Sequence, residues 1–118
     1  MANPYGVPEL TVHQVAELRE AEAEFVLVDV REQMELIQAN LGPEVVWVPL
    51  SRLAAEREDA LPGELADKDQ QVVVFCHTGV RSAQVTAWLR QLGYRDVHSM
   101  AGGIEAWALQ VDPQVGRY

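Results

Sequence analysis

A chain of 118 residues, 48% hydrophobic and 23% charged, has the composition of an ordinary globular domain and is long enough to bury a core without metal or disulfide staples. Its net charge of −9, with Lys68 as the sole lysine, argues against nucleic acid or an anionic membrane surface as partner, and no apolar run reaches the length needed to span a bilayer. Met1-Ala2-Asn3-Pro4-Tyr5 holds no basic cluster leading into an apolar stretch, so no secretory signal is expected and the default compartment is the cytoplasm, a setting that suits a chain with one cysteine, Cys76, and therefore no internal disulfide.

Pro4, Gly6 and Pro8 mark an irregular start, with one short strand near Glu9-Leu10. Thr11 and Gln14 form a capping box, and Val12, Val15, Ala16 and Leu18 give the helix that follows an inward face. That helix fades through Glu20 to Glu24. Phe25-Val26-Leu27-Val28-Asp29-Val30 is a continuous apolar run, read as a buried parallel strand whose first charge comes near its carboxyl end. Arg31 to Leu36 reads as a short helix or turn, and Val45-Val46-Trp47-Val48 as a third strand closed by Pro49. Ser51 is the expected cap of a helix through Leu53, Ala54 and Ala55, with Pro62-Gly63 as its breaker. Glu64 to Gln70 is then a polar connection into the run Val72-Val73-Val74-Phe75, a second strand buried on both faces.

Val85, Trp88, Leu89 and Leu92 recur at helical spacing and stop at Gly93. Asp96-Val97-His98-Ser99-Met100 is a final weak strand. Gly102-Gly103 turns the chain into a closing helix, Ile104 to Trp107, and Val111 to Tyr118 reads as a loosely held tail. Trp47, Trp88 and Trp107 are expected in or near the core. Strands alternating with helices at this spacing predict an α/β domain over residues 1–118, core about 9–110. Its small, mostly parallel sheet would have four to five strands with helices on both faces.

In such sheets ligands bind beyond the carboxyl ends of the strands, where Cys76 and Asp29 to Arg31 both fall. A lone cysteine is by default a small buried hydrophobe. Here it stands where a buried strand ends and a turn begins, Cys76-His77-Thr78-Gly79-Val80-Arg81-Ser82, which leads into a helix. Loop amides and the first helical turn have no sheet or helix partner, so they form a cradle for an anion, reinforced by the helix dipole. The first anion that such a cradle stabilises is the thiolate of Cys76 itself. Arg81 adds a fixed charge and a planar fork suited to an oxyanion. Ser82 is expected to cap the helix, His77 to be a loop constituent first, and Asp29 with Arg31 to brace the sheet end. His13 and His98 have no companions at metal-ligand spacing.

The Cys-x-x-Gly-x-Arg-Ser segment resembles the active-site loop of the rhodanese family of sulfurtransferases. Leu27-Val28-Asp29-Val30-Arg31-Glu32, Val48-Pro49-Leu50 and Met100-Ala101-Gly102-Gly103-Ile104-Glu105-Ala106-Trp107 extend the resemblance in the family's order from Leu27 to Trp107. One stretch departs from it: Gln38 to Glu44 stands where family members often carry Gly-His-Ile and then Gly-Ala.

The resemblance implies a rhodanese-like fold and a transferase in which the Cys76 thiolate takes a sulfane sulfur from a donor such as thiosulfate or a persulfide. The resulting persulfide then passes its sulfur to cyanide or a thiol. A ring of amides from His77 through Ser82 would serve the sulfur, so His77, Thr78, Gly79, Val80, Arg81 and Ser82 would contact substrate, and Asp29 and Arg31 would support them. The implied partners are a small anionic sulfur donor and a thiol or persulfide-carrying protein, with no cofactor and no metal. A cysteine-dependent phosphatase is the nearest enzymatic rival, but its signature places five residues between cysteine and arginine. Four stand between Cys76 and Arg81, which leaves less room for a phosphoryl group. A non-catalytic rhodanese-like interaction module stays open as a second class, against which the intact cysteine argues.

Overall fold

The computed structural model describes residues 3–118; Met1 and Ala2, which belong to the amino-terminal segment read above for a signal sequence, lie outside the described residues. Its elements in chain order are β1 (Glu9–Leu10), α1 (Val12–Glu20), β2 (Val26–Asp29), α2 (Gln33–Gln38), β3 (Val46–Trp47), α3 (Leu50–Glu56), β4 (Val72–Phe75), α4 (Val80–Gln91), β5 (Val97–Met100) and α5 (Gly103–Gln110). The five strands form one sheet in the order β1-β5-β4-β2-β3, and every neighbouring pair is parallel. No helix among the described residues is long and apolar enough to cross a membrane.

Alternation along the central strands splits the core in two. Val28, Val72, Val74 and Val97 face one side, where they meet Leu53 of α3 and Val85 and Leu89 of α4. Leu27, Val73, Phe75 and Met100 face the other and meet Val12 and Val15 of α1 and Ile104 and Trp107 of α5. All four residues of β4 are fully buried, as a strand covered on both faces requires. Each large side chain so buried contributes roughly 1.5–3 kcal/mol relative to exposure. The strand is therefore a rigid base for whatever follows Phe75.

Local signals placed most helix ends. Gln14 N donates to Thr11 Oγ1 at 3.1 Å while Thr11 N donates to Gln14 Oε1 at 2.8 Å, the reciprocal box expected for α1. The expectation for α3 was wrong at both ends. Pro49, not Ser51, precedes its first residue, and Glu32 reaches across to accept from Ser51 N at 3.1 Å and Ser51 Oγ at 2.6 Å. A distant carboxylate thus satisfies the helix start, so no local cap is needed. The helix stops at Glu56, before Pro62-Gly63, because Arg57 takes φ 54°, outside the helical region. Within the polar connection that follows, Leu65 is buried in the core.

Trp47 is another correction. The residue lies on edge strand β3 and is 41% exposed, its indole N–H donating to Arg31 O at 2.8 Å, whereas Trp107 is buried and Trp88 half-buried. The segment Val111 to Tyr118 is not loose either. Val111 N donates to Trp107 O at 2.8 Å, Asn40 N donates to Val115 O at 2.9 Å, and Arg117 pairs with Glu105 at 2.6 Å. Proline, glycine and polar residues hid this, since the segment is held by backbone bonds and an ion pair, neither of which leaves an apolar period.

Candidate active site

β4 delivers Cys76 to the sheet's carboxyl end with its side chain 1% exposed. The loop beyond it is shaped from outside. At the start of α5, Ile104 N donates to Cys76 O at 2.9 Å and Glu105 N donates to His77 O at 3.0 Å. Free amides of one helix therefore hold the loop's first two carbonyls away from the sulfur. Gly79 then turns the chain with φ 105°, in the left-handed region that favours glycine, and stands directly before the first residue of α4. The result is a reversal of polarity: carbonyls face α5, and amides face Cys76.

Two of those amides reach the sulfur. Gly79 N lies 3.1 Å from Cys76 Sγ and Ser82 N lies 3.3 Å from it. The full ring expected from His77 through Ser82 is thus a pair of main-chain donors, and the Cys76 thiol in turn donates to Ser82 Oγ at 3.5 Å. Thr78 and Val80 sit exposed on the loop's rim. With the amino end of α4 aimed at it, the sulfur lies where negative charge is stabilised.

Ser82 is not the cap of α4; it lies inside the first turn, fully buried, and its hydroxyl hydrogen-bonds Ser99 Oγ at 2.8 Å. Gly79 occupies the capping position instead. Ser99, a serine facing inward from β5, escaped the sequence reading. Its signal was a polar residue in a strand whose neighbours Val97 and Met100 are core.

The cationic fork is the larger surprise. Arg81 Nη1 and Nη2 donate to the two carboxylate oxygens of Glu35, on α2, at 2.6 and 2.7 Å, so the guanidinium is already engaged in a bidentate pair. The Glu35 pair, opposed by partial burial, keeps Arg81 firmly charged, its pKa raised above the ordinary value. Reciprocally, the Arg81 bonds hold the Glu35 carboxyl down from the ordinary 4.5 to about 2, against a smaller opposing effect of burial. A depressed carboxyl pKa stabilises the fold fully above about 4.5, and that contribution is lost as pH falls through about 2. The side-chain carboxyl carbon of Glu35 is accordingly expected to titrate near pH 2 by NMR, and a midpoint near 4.5 would show that the pair does not hold in solution.

Asp29 and Arg31 are bonded to each other at the sheet end. Arg31, fully buried, donates through Nε and Nη2 to Asp29, and through Nη2 to Ala39 O at 2.9 Å. Burial opposes its charge, but the bonds to Asp29 and Tyr118 outweigh it and its pKa is raised. The unusual 38–44 connection is tied down by the same arginine at Ala39 O and by Arg19, which donates to Leu41 O at 2.8 Å and pairs with Glu44.

Tyr118 completes the site. Its ring stacks on His77 with centroids 3.9 Å apart, and its hydroxyl donates to Glu35 Oε1 at 2.8 Å while accepting from Arg31 Nη1 at 3.2 Å. His77 is half-buried beneath it, with Nε2 shielded and unbonded. Neither Glu35 nor Tyr118 carried a local signal, because each acquires its role from a partner far along the chain.

A family model described as Rhodanese-like domain matches residues 11–110. A sulfurtransferase of Allochromatium vinosum is 39% identical over 83 residues, covering 70% of this chain and 71% of that one. The chloroplastic rhodanese-like/PpiC domain-containing protein 12 of Arabidopsis thaliana is 37% identical over 92 residues; the match covers 78% of this chain but 30% of that protein. Among solved structures, a rhodanese-related protein of Thermoplasma volcanium superposes with a TM-score of 0.71 at 28% identity, over 88% of this chain and 93% of that one.

Proposed function

Because the chain belongs to the family of rhodanese-like domains, we propose that it is a sulfurtransferase that carries sulfane sulfur on Cys76. The observation that supports this most directly is the pair of amides, Gly79 N and Ser82 N, directed at the Cys76 sulfur. The relative in Allochromatium vinosum, named a sulfurtransferase, adds weight.

In the proposed cycle the Cys76 thiolate attacks the outer sulfur of a donor. A new S–S bond forms at Cys76, the donor's own bond to that sulfur breaks, and its electron pair departs with the leaving group. A thiol or cyanide then attacks the outer sulfur of the Cys76 persulfide, takes it away and returns the thiolate. The two amides directed at the Cys76 sulfur favour the thiolate that attacks in the first step and departs in the second. The loop rim at Thr78 and Val80 is where a donor or acceptor would first touch. One cysteine and no disulfide suit a reducing, cytoplasmic setting in which thiol acceptors abound.

Incubation with thiosulfate, and separately with an organic persulfide, is expected to add the mass of one sulfur atom to the intact protein, removable by cyanide. Because Cys76 is the sole cysteine, the position of the adduct is unambiguous. Absence of any gain with either donor would overturn the reading, and hydrolysis of an aryl phosphate without a mass change would replace it with the phosphatase.

A further inference from the structure

Among the described residues, three arginines near the cysteine loop are each matched by an anion. Arg81 faces Glu35, Arg31 faces Asp29, and Arg117 faces Glu105. Among the described residues these three guanidiniums are therefore already paired when an anion arrives at this mouth, and the chain's −9 adds a repulsive field. The arrangement is held by more than the pair itself. Glu35 Oε2 also accepts from Glu32 N at 2.8 Å, and Tyr118 donates to Oε1, so each carboxylate oxygen is held by a second donor besides Arg81. Tyr118 in turn is pinned by Arg31 and by its stack on His77.

We propose that Glu35, positioned by Tyr118, is a specificity-determining residue that biases the site toward persulfide donors, RS–SH, and away from donors that carry an oxyanion. The proposal rests on the sulfurtransferase reading and narrows its donor. Thiosulfate brings two negative charges to the Cys76 thiolate and must expel sulfite, a dianion. The reacting form of a persulfide donor is the protonated RS–SH, whose outer sulfur carries no charge: attack by the thiolate forms the Cys76 S–S bond, breaks the RS–S bond, leaves the proton on the transferred sulfur and releases RS⁻ as a monoanion. Only the first reaction needs an open guanidinium to receive its leaving group, and Glu35 fills that fork.

The test compares kcat/KM for loading Cys76 from thiosulfate and from benzyl persulfide, whose body carries no charge. Intrinsic donor reactivity cancels when the ratio in a variant is divided by the ratio in the wild type. Glu35→Gln removes the neutralising charge and is expected to move the ratio toward thiosulfate about tenfold, the size of one unscreened charge at a few ångströms in a half-exposed site. Tyr118→Phe leaves Glu35 charged but removes one of the donors that hold Oε1, and is expected to shift the ratio the same way by about threefold. Added salt should shrink the thiosulfate gain of Glu35→Gln, which mere loosening of the loop would not do. A ratio that stays put in both variants, or moves toward the persulfide, overturns the proposal while leaving the transferase intact. If Glu35→Gln does not fold, Tyr118→Phe decides alone. Failure of both donors to load the wild type overturns the transferase reading and this proposal together.

Discussion

Gly103→Ala is expected to lower stability by about 3–5 kcal/mol and to slow sulfur loading of Cys76 by on the order of a hundredfold. Gly103 has φ 62°, and a Cβ there would press on His77 O and stand 2.5 Å from Cys76 O. Those two carbonyls are the acceptors of Ile104 N and Glu105 N. An added methyl group therefore strikes main chain that has no rotamer with which to retreat, and the start of α5 must lift from the loop. Once it lifts, the carbonyls are free to swing toward the sulfur and the amides of Gly79 and Ser82 away from it. Gly6→Ala is the control: φ is 63°, but nothing lies within 4 Å, so only the backbone cost of about 1 kcal/mol applies. Urea denaturation and stopped-flow loading measure both quantities. A Gly103→Ala protein as stable and as fast as the wild type would show that α5 does not shape the loop.

Arg31→Met is expected to cost about 3–5 kcal/mol, the usual result of removing one partner from a buried ion pair. The side chain is fully buried, and with it go its three bonds to Asp29, which is itself buried, and the donor that satisfies Ala39 O. Methionine fills much of the volume, so the loss comes from stranded polar groups rather than from a cavity. Replacing the partner as well, in Asp29→Leu with Arg31→Met, should recover a large part of the loss, because the uncompensated carboxylate is then gone. Denaturant unfolding of the two single variants and the double variant measures the coupling. A single-variant cost below about 1 kcal/mol would mean that the pair does not hold the sheet end.

How much of this was written in the amino-acid order depends on the range of the interaction. Apolar runs at Val26–Asp29 and Val72–Phe75, the Thr11 and Gln14 box, and the glycine at 79 act within a few residues of themselves, so β2, β4, α1 and the loop were legible. The cysteine at the end of a strand buried on both faces, followed by a turn containing Gly79 and a helix, already implied amides turned toward sulfur. Asp29 and Arg31, two residues apart, were legible as a brace for the same reason.

What the chain order alone did not disclose is every contact that joins distant segments. Arg81 meets Glu35 across 46 residues and Tyr118 meets Glu35 across 83, so the occupied fork and the tyrosine over His77 exist only after the sheet has brought α2, α4 and the 111–118 segment together. Ser99 reaches Ser82 from 17 residues away for the same reason, and Glu32, not Ser51, finishes α3. Periodicity and capping rules describe the backbone because backbone preferences are local. The charge balance at the cysteine is a property of side chains that share space without sharing sequence, and only the tertiary structure decided it.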